Sequence, residues 1–330
     1  MMIFASLILA FILAIVPNLV WLLVFVVGRV LGWHTPYAPF GWTAFGLVAL
    51  CWTLLAYGFY IGRWRLAVTN LDYRNTDVPQ MFDGYRIVHI SDLHLSTFDD
   101  NHEKLGQIVD RINSLNPDLV CFTGDLVTLG PEEAEPYVGE LSRISATDGV
   151  VSVLGNHDFL LYSRKYRTDD SKLPAIDSVV NIQRMRFGWN VLRNQSTAIE
   201  RKGGKITIIG VDNENCSNQG FHTISRGDLT KAAQGTEGFR ILLTHDPSHW
   251  EHEVLPKTDI QLTLSGHTHA AQVRIFGWTP AKWTFRQTYG RYDSNGQTLY
   301  VNIGLGCTAP VRLGANPEIT LITLKSAMDN

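Results

Sequence analysis

The sequence predicts an α/β layered domain, with a second sheet packed on the first, carried behind a pair of apolar helices. Three observations lead there. The charge is split, because residues 1–62 contain one charged side chain, Arg29, although the 330-residue chain has 28 Lys and Arg and 31 Asp and Glu. From about residue 85 onward, short runs rich in β-branched residues alternate with amphipathic stretches, the pattern of helices layered on a sheet. In the second half the strand-like runs crowd together with fewer helices between them, which calls for a second sheet.

The apolar part comes first. A mean hydropathy of 0.00 with 45% apolar residues is high for a purely soluble chain. The run 1–27 is uncharged and, at about 1.5 Å of rise per residue, longer than the roughly 30 Å hydrocarbon core. A helix over about 2–31 therefore spans with tilt or a kink near Pro17. A second uncharged run, 41–62, is also long enough, and the turn-rich link His34-Thr35-Pro36-Tyr37-Ala38-Pro39 suits a helical hairpin. A cleaved signal peptide fits less well: no basic segment leads the run, the run is too long, and a second span follows. Residues 1–65 are thus expected to be a transmembrane anchor, 66–84 a linker and 85–325 the folded domain. Arg63, Arg65 and Arg74 after the second span, against Arg29 beside the link, put both ends on the cytoplasmic side by the positive-inside rule. A split of the first run at Pro17-Asn18 would move the domain to the other side.

In the domain, 86–91 (RIVHIS) reads as a buried strand, Leu105, Ile108, Val109, Ile112 and Leu115 recur at helical spacing, and 118–123 (DLVCFT) is the next strand. A second helix is expected over 131–144, leading into a strand at 150–154. Later strands are expected at 207–211, 240–244, 260–265, 272–275, 299–303 and 318–324. The cysteines, Cys51, Cys121, Cys216 and Cys307, are widely spaced without a CxxC pair, which argues against a structural zinc knot or a disulfide framework. A formal charge of -3 argues against a dedicated nucleic-acid binder.

Five of these strands end in short polar clusters: Asp92-Leu93-His94, Gly124-Asp125, Gly155-Asn156-His157-Asp158, His245-Asp246 and Gly266-His267-Thr268-His269. Carboxyl ends of strands in open α/β sheets gather at one edge, so the clusters can converge on one pocket. Residues two apart on an extended segment point the same way, so Asp92 with His94, and His267 with His269, can each offer two ligands. Imidazole nitrogen with carboxylate or amide oxygen and no thiolate suits Mn, Fe or Zn. Seven such ligands exceed what one ion needs, and two ions sharing a carboxylate, about 3.5–4 Å apart, would use them all. Outside the clusters, His34, His89, His102, His222, His249 and His252 read as surface or core residues.

The ordered set DxH, GD, GNHD, H and GHTH resembles the calcineurin-like metallophosphoesterase superfamily over residues 85–325. The resemblance implies a four-layer αββα sandwich of two mixed sheets. It also implies one metal on Asp92, His94, Asp125 and His269, and another on Asp125, Asn156, His245 and His267, with Asp125 as the bridge. A pair of metals supplies a hydroxide at neutral pH for in-line attack on phosphorus, and by resemblance His157 is the catalytic residue that stabilises the transition state or protonates the leaving oxygen. The GD block continues as Leu126-Val127-Thr128-Leu129-Gly130, without the Asp and Arg of the protein Ser/Thr phosphatases in the superfamily. The C-terminal runs 302–306 (NIGLG), 310–314 (PVRLG) and 317–321 (PEITL) are similar to the bacterial YkuE/YaeI-like branch, which includes membrane-associated enzymes that cleave UDP-2,3-diacylglucosamine.

The resemblance therefore implies an integral protein of the bacterial inner membrane that hydrolyses a phosphodiester or pyrophosphate bond of a small-molecule or lipid-linked substrate. The alternatives are a phosphomonoesterase or nuclease of the same fold and a non-catalytic metal-binding membrane protein. The segment 274–292 interleaves aromatic residues with Arg274, Lys282, Arg286 and Arg291. It is either a headgroup-level contact with anionic lipid or a hairpin with its aromatics in the core.

Overall fold

The computed structural model describes residues 2–220 and 223–327. Helices α1 (Met2–Leu31) and α2 (Ala38–Tyr60) form an antiparallel hairpin, and both are long and apolar enough to cross a membrane. Pro17 does not break α1. The Asn18 side chain caps the disturbed turn by donating to the Ala14 carbonyl at 2.7 Å, and it accepts from the Tyr37 hydroxyl in the link at 2.8 Å. Pro39 sits in the first turn of α2, where its missing N–H is not needed.

The strands are β1 (Ala67–Asn75), β2 (Arg86–Ile90), β3 (Leu119–Phe122), β4 (Val150–Ser152), β5 (Asn190–Val191), β6 (Gln195–Arg201), β7 (Gly204–Gly210), β8 (Phe239–Leu243), β9 (Leu262–Ser265), β10 (Gly290–Ser294), β11 (Gln297–Val301) and β12 (Glu318–Ser326). They form two six-stranded sheets, in the orders β1-β12-β2-β3-β4-β5 and β10-β11-β9-β8-β7-β6. Both are mixed: β12 is antiparallel to β2 in the first, and β6 and β10 are antiparallel edges of the second.

Alternation along the strands sorts side chains into layers. Ile87, Cys121, Val151 and Ile322 of the first sheet meet Ile208, Ile241, Leu243 and Leu264 of the second in a shared core. Val88, Ile90, Val120 and Phe122 face the other way, onto the helix α3 (His102–Ser114) and the helix Asp169–Asn181. Ile209, Leu242 and Val301 pack against Leu229, Trp250 and Val254 on the outer side of the second sheet. The result is the expected αββα sandwich.

Three local expectations are corrected. The segment 66–84 is not a plain linker: β1 pairs in parallel with β12 over its whole length, covering what would otherwise be an exposed sheet edge. The expected helix at 131–144 is two 3-10 turns and a short helix, Val138–Leu141, because Pro136 lacks an N–H and its ring obstructs the preceding turn. The expected strand at 272–275 is absent. Ala270, Ala271 and Gln272 all have φ near +50°, which no strand tolerates, and Val273 makes only isolated bridges to Leu313 and Gly314.

The hairpin is joined to the domain by backbone contact as well as by the chain. Arg312 N–H donates to the Gly58 carbonyl at 3.2 Å. A Cβ on Gly62 would stand 2.0 Å from the Arg312 carbonyl oxygen. Glycines four apart, Gly58 in α2 and Gly62 in the turn that follows it, thus let this end of the hairpin press against residues 311–313, as small residues do between membrane helices.

Candidate metal centre

The parallel strands deliver the polar clusters to one edge. β2, β3 and β4 are parallel neighbours in the first sheet, and β8 and β9 in the second. Asp92, His94, Asp125, Asn156, His157, His245, His267 and His269 all follow carboxyl ends of these strands. Three groups of side chains bring ligating atoms within 4.8 Å of one another: Asp92, His94 and His269; His94, Asp125 and His157; and Asp125, His245 and His267.

His269 Nε2 lies 3.2 Å from Asp92 Oδ1 and 3.2 Å from His94 Nε2. Asp125 Oδ2 is 3.5 Å from His94 Nε2 and 3.1 Å from His245 Nε2. One carboxylate oxygen therefore stands between two clusters of imidazoles. On the far side, His267 Nδ1 is 3.2 Å from His245 Nε2.

These side chains are brought together by a route other than the extended segments that the spacing implied. φ is +52° at Asp92, +42° at His94, +60° at Asp125, +75° at His267 and +48° at His269. Left-handed backbone at such residues costs about 1–3 kcal/mol each, so the surroundings must hold it. Asp92 and His94 donate backbone N–H bonds to the Gly124 and Asp125 carbonyls at 2.9 and 3.0 Å, and Gly306 N–H donates to the Asp92 carbonyl at 2.7 Å. At Gly266 a Cβ would stand 2.3 Å from Asp92 Oδ2, and at Gly304, where φ is +79°, 2.6 Å from Asp92 Cβ. Both glycines are there because the Asp92 turn is packed against them.

Asp158 does not orient His157. Its carboxylate accepts the N–H groups of Asp125, Leu126, Val127 and Gly155 at 2.8–3.2 Å, which fixes the turn that carries Asp125. His157 is held from elsewhere: its N–H donates to Asp125 Oδ1 at 2.8 Å, and its Nδ1 pairs with the Thr128 carbonyl at 2.9 Å. That bond requires a proton on Nδ1 and reserves Nε2 for a reacting group.

The donors fit divalent metals. Asn156 Nδ2 donates to the Tyr162 hydroxyl at 3.2 Å, while Asn156 Oδ1, buried, has no hydrogen-bond partner among the described residues. A buried acceptor left bare in a ring of imidazoles and carboxylates is what a cation would satisfy. Burial would raise the Asp92 carboxyl, but His269, His245 and His94 outweigh it and hold it well below its usual range. Burial, then the neighbouring His157, keeps His94 well below its ordinary value, and burial likewise lowers His267, so both rings are neutral and free to coordinate a cation. His245 is the exception. Burial opposes its charge, yet Asp125 and Asp92 push it up to about 10, so the carboxylate pair attracts a cation at this point.

Supporting residues were not visible in the sequence. His267 Nε2 meets Gln219 Oε1 at 2.9 Å, and Gln219 Nε2 in turn donates to Asp246 Oδ2 at 2.5 Å. Arg312, fully buried, reaches within 3.3 Å of His269 Nδ1. Gln219 lies in a loop without regular spacing, and Arg312 lies in the PVRLG run that carried only the branch resemblance. A partner such as Gln219, whose oxygen accepts the free N–H of a ring, orients it and typically changes metal affinity about 10–100-fold when removed. Gln219→Leu is expected to weaken metal binding by that factor, measured by competition with a chelator, with the fold intact by circular dichroism.

The remaining histidines are elsewhere. His89 pairs with Thr123 and His249 with Thr244 and Glu253 in the interior, while His102 pairs with Glu140 at the surface. His34 and His252 are exposed, and His222 lies outside the described residues. In the aromatic segment, Phe276 is fully exposed and Trp283 is 80% exposed, whereas Phe285 stacks edge-on against His267.

A cleft of about 890 Å³ is lined by Asp125, Asn156, His157, His267 and His269, and its walls also include Ala281, Phe285, Val311, Leu313, Leu9 of α1 and Leu55 of α2.

Comparison with known proteins follows this geometry. Residues 85–271 match the family described as calcineurin-like phosphoesterase. The chain is similar to the uncharacterized metallophosphoesterase YkuE of Bacillus subtilis, 31% identical over 280 residues that cover 82% of this chain and 89% of that one. It is 26% identical over 312 residues to the UDP-2,3-diacylglucosamine pyrophosphatase LpxG of Chlamydia trachomatis, covering 78% and 88% of the two chains. A transmembrane protein with metallophosphoesterase domain from Bos taurus is 29% identical over 267 residues, which are 79% of this chain and 57% of the bovine one.

Proposed function

Because the chain belongs to the calcineurin-like phosphoesterase family, a family of metal-dependent phosphoester hydrolases, we propose that it cleaves a phosphodiester or pyrophosphate bond of a lipid-linked substrate at a bilayer surface. The observation that carries this reading is the cleft, which is lined both by Asp125, Asn156, His157, His267 and His269 and by Leu9 and Leu55 of the two apolar helices. A substrate that fills it presents phosphate and hydrocarbon together. The relative LpxG is named for such a substrate. Exposed Phe276 and Trp283 would sit at headgroup level beside the cleft.

In this reading Asp92, His94, Asp125 and His269 hold one divalent ion, and Asp125, Asn156, His245 and His267 hold the other. Bound there, the ions supply Lewis-acid charge for the phosphoryl oxygens and an acidified water. The protein contributes the rest. Asp125 spaces the two sites, and Gln219 and Asp246 fix the His267 ring. His157, anchored through Nδ1, presents Nε2 to deliver a proton to the leaving oxygen. With Pro17 leaving α1 unbroken, the hairpin crosses twice, and Arg63, Arg65 and Arg74 favour the domain on the cytoplasmic face of a bacterial inner membrane.

Full-length protein supplied with Mn is expected to hydrolyse bis(p-nitrophenyl) phosphate. His157→Ala should lower kcat about 10²–10⁴-fold while the protein keeps its metal by elemental analysis. Failure of the parent protein to turn over any phosphodiester or pyrophosphate with Mn, Fe or Zn would refute the reading.

A further inference from the structure

A second depression of about 280 Å³ runs along the hairpin and shares Leu9, Leu55 and Leu313 with the cleft. Beyond them its walls are Leu13 from α1 and Leu47, Leu50 and Leu54 from α2. From this continuity, and resting on the hydrolase reading above, we infer that the hairpin is part of the substrate site, its interhelical groove holding one linear hydrocarbon chain of the substrate while the phosphate lies at the ligand cluster.

The dimensions agree with that occupant. From Leu55 to Leu47 the helix rises about 12 Å at 1.5 Å per residue, close to the roughly 15 Å that one leaflet contributes to a 30 Å core. Leu9 and Leu55 lie toward the ends of α1 and α2 that meet the domain, so the groove leads from the domain into the apolar layer. Its side chains are all apolar apart from the Cys51 thiol, which excludes a sugar or a nucleobase from this arm. The close approach of α2 at Gly58, and of the following turn at Gly62, to residues 311–313 holds Leu313 at the junction of the two cavities.

The groove acts through position. A hydrocarbon chain is as well solvated by lipid as by leucine, so little transfer energy is gained by entering the groove. What is gained is alignment: a chain seated there puts its own phosphate at the mouth of the cleft, and the substrate reacts without leaving the bilayer. The groove should therefore discriminate by chain length between substrates that carry the same reacting group.

The test compares hexadecyl p-nitrophenyl phosphate with ethyl p-nitrophenyl phosphate, using the full chain in detergent micelles with Mn. The quantity read is the ratio of kcat/KM for the long ester to that for the short one. Leu50→Trp and Leu54→Phe, which fill the groove from two positions, are expected to lower this ratio at least tenfold. Leu23→Trp, on a helix face outside the groove where Leu23 is 66% exposed, should leave it unchanged. If the folded variants keep the parental ratio, or Leu23→Trp lowers it equally, the inference is overturned. If the parent protein cleaves neither ester nor any other phosphodiester or pyrophosphate, it is the hydrolase reading that fails. Should Leu50→Trp not fold, Leu54→Phe and the enlarging variant Leu50→Ala, expected to shift the preferred chain length, decide the matter.

Discussion

Asp125→Asn is expected to abolish turnover, with kcat/KM lowered on the order of 10³-fold or more, and to leave the protein with fewer than two bound metal equivalents. The substitution preserves shape and an oxygen that can still accept the His157 N–H, so the turn should survive. What it removes is the negative charge between His94, 3.5 Å away, and His245, 3.1 Å away. The Asp125 carboxylate thus lies nearer to both of these rings than Asp92 Oδ1, which stands 3.9 Å from each of His94 and His245, so its loss touches both ion sites. Loss of about 4 kcal/mol of transition-state stabilisation corresponds to that rate factor at 1.36 kcal/mol per tenfold. Elemental analysis and steady-state kinetics on the same preparation check it. Full metal content with parental activity would remove Asp125 from the bridging position.

The site was legible in the sequence because its ligands come in blocks at strand ends, where hydrophobic runs give way to Gly, Asp, His and Asn. Asp92 and His94 do come together, while His267 and His269 divide between two clusters, and the reason is not the spacing: their backbones are left-handed, and the packing of Gly266 and Gly304 against the Asp92 turn makes that geometry possible. Local spacing carries no record of such packing. The same limit bears on β1, in which Leu71 and Tyr73 alternate with Asn70, Asp72 and Arg74 but whose place in the sheet is fixed by a partner more than 240 residues later. It hid Gln219 and Arg312, whose roles depend on contacts 48 and 43 residues away in sequence. Pro136, by contrast, was readable in the sequence as a breaker of the helix expected at 131–144.

Arg312→Met is expected to destabilise the domain and to weaken one ion site more than the other. The guanidinium is fully buried and its donors are directed at main-chain oxygens: Ile303 and Gly304 at 2.9 and 3.2 Å, Gly306 at 3.1 Å from Nε, and Ala315 at 2.9 Å. A buried cation without such acceptors would be costly, and the carbonyls without their cation are equally exposed to loss, so removing one partner costs about 3–5 kcal/mol. For a chain of this size that lowers Tm by roughly 10 °C. The 303–306 strip that Arg312 holds presses on the Asp92 turn, so the ion proposed to lie at Asp92, His94 and His269 should weaken about 10–100-fold. The ion at Asn156, His245 and His267, supported instead by Gln219 and Asp246, should change less. Arg312→Lys should rescue little, because a single ammonium cannot replace a planar fork that reaches several carbonyls at once. Thermal melts with sequential metal titration distinguish the outcomes: equal weakening of both sites, or a stability loss with both affinities intact, would reduce Arg312 to a packing role.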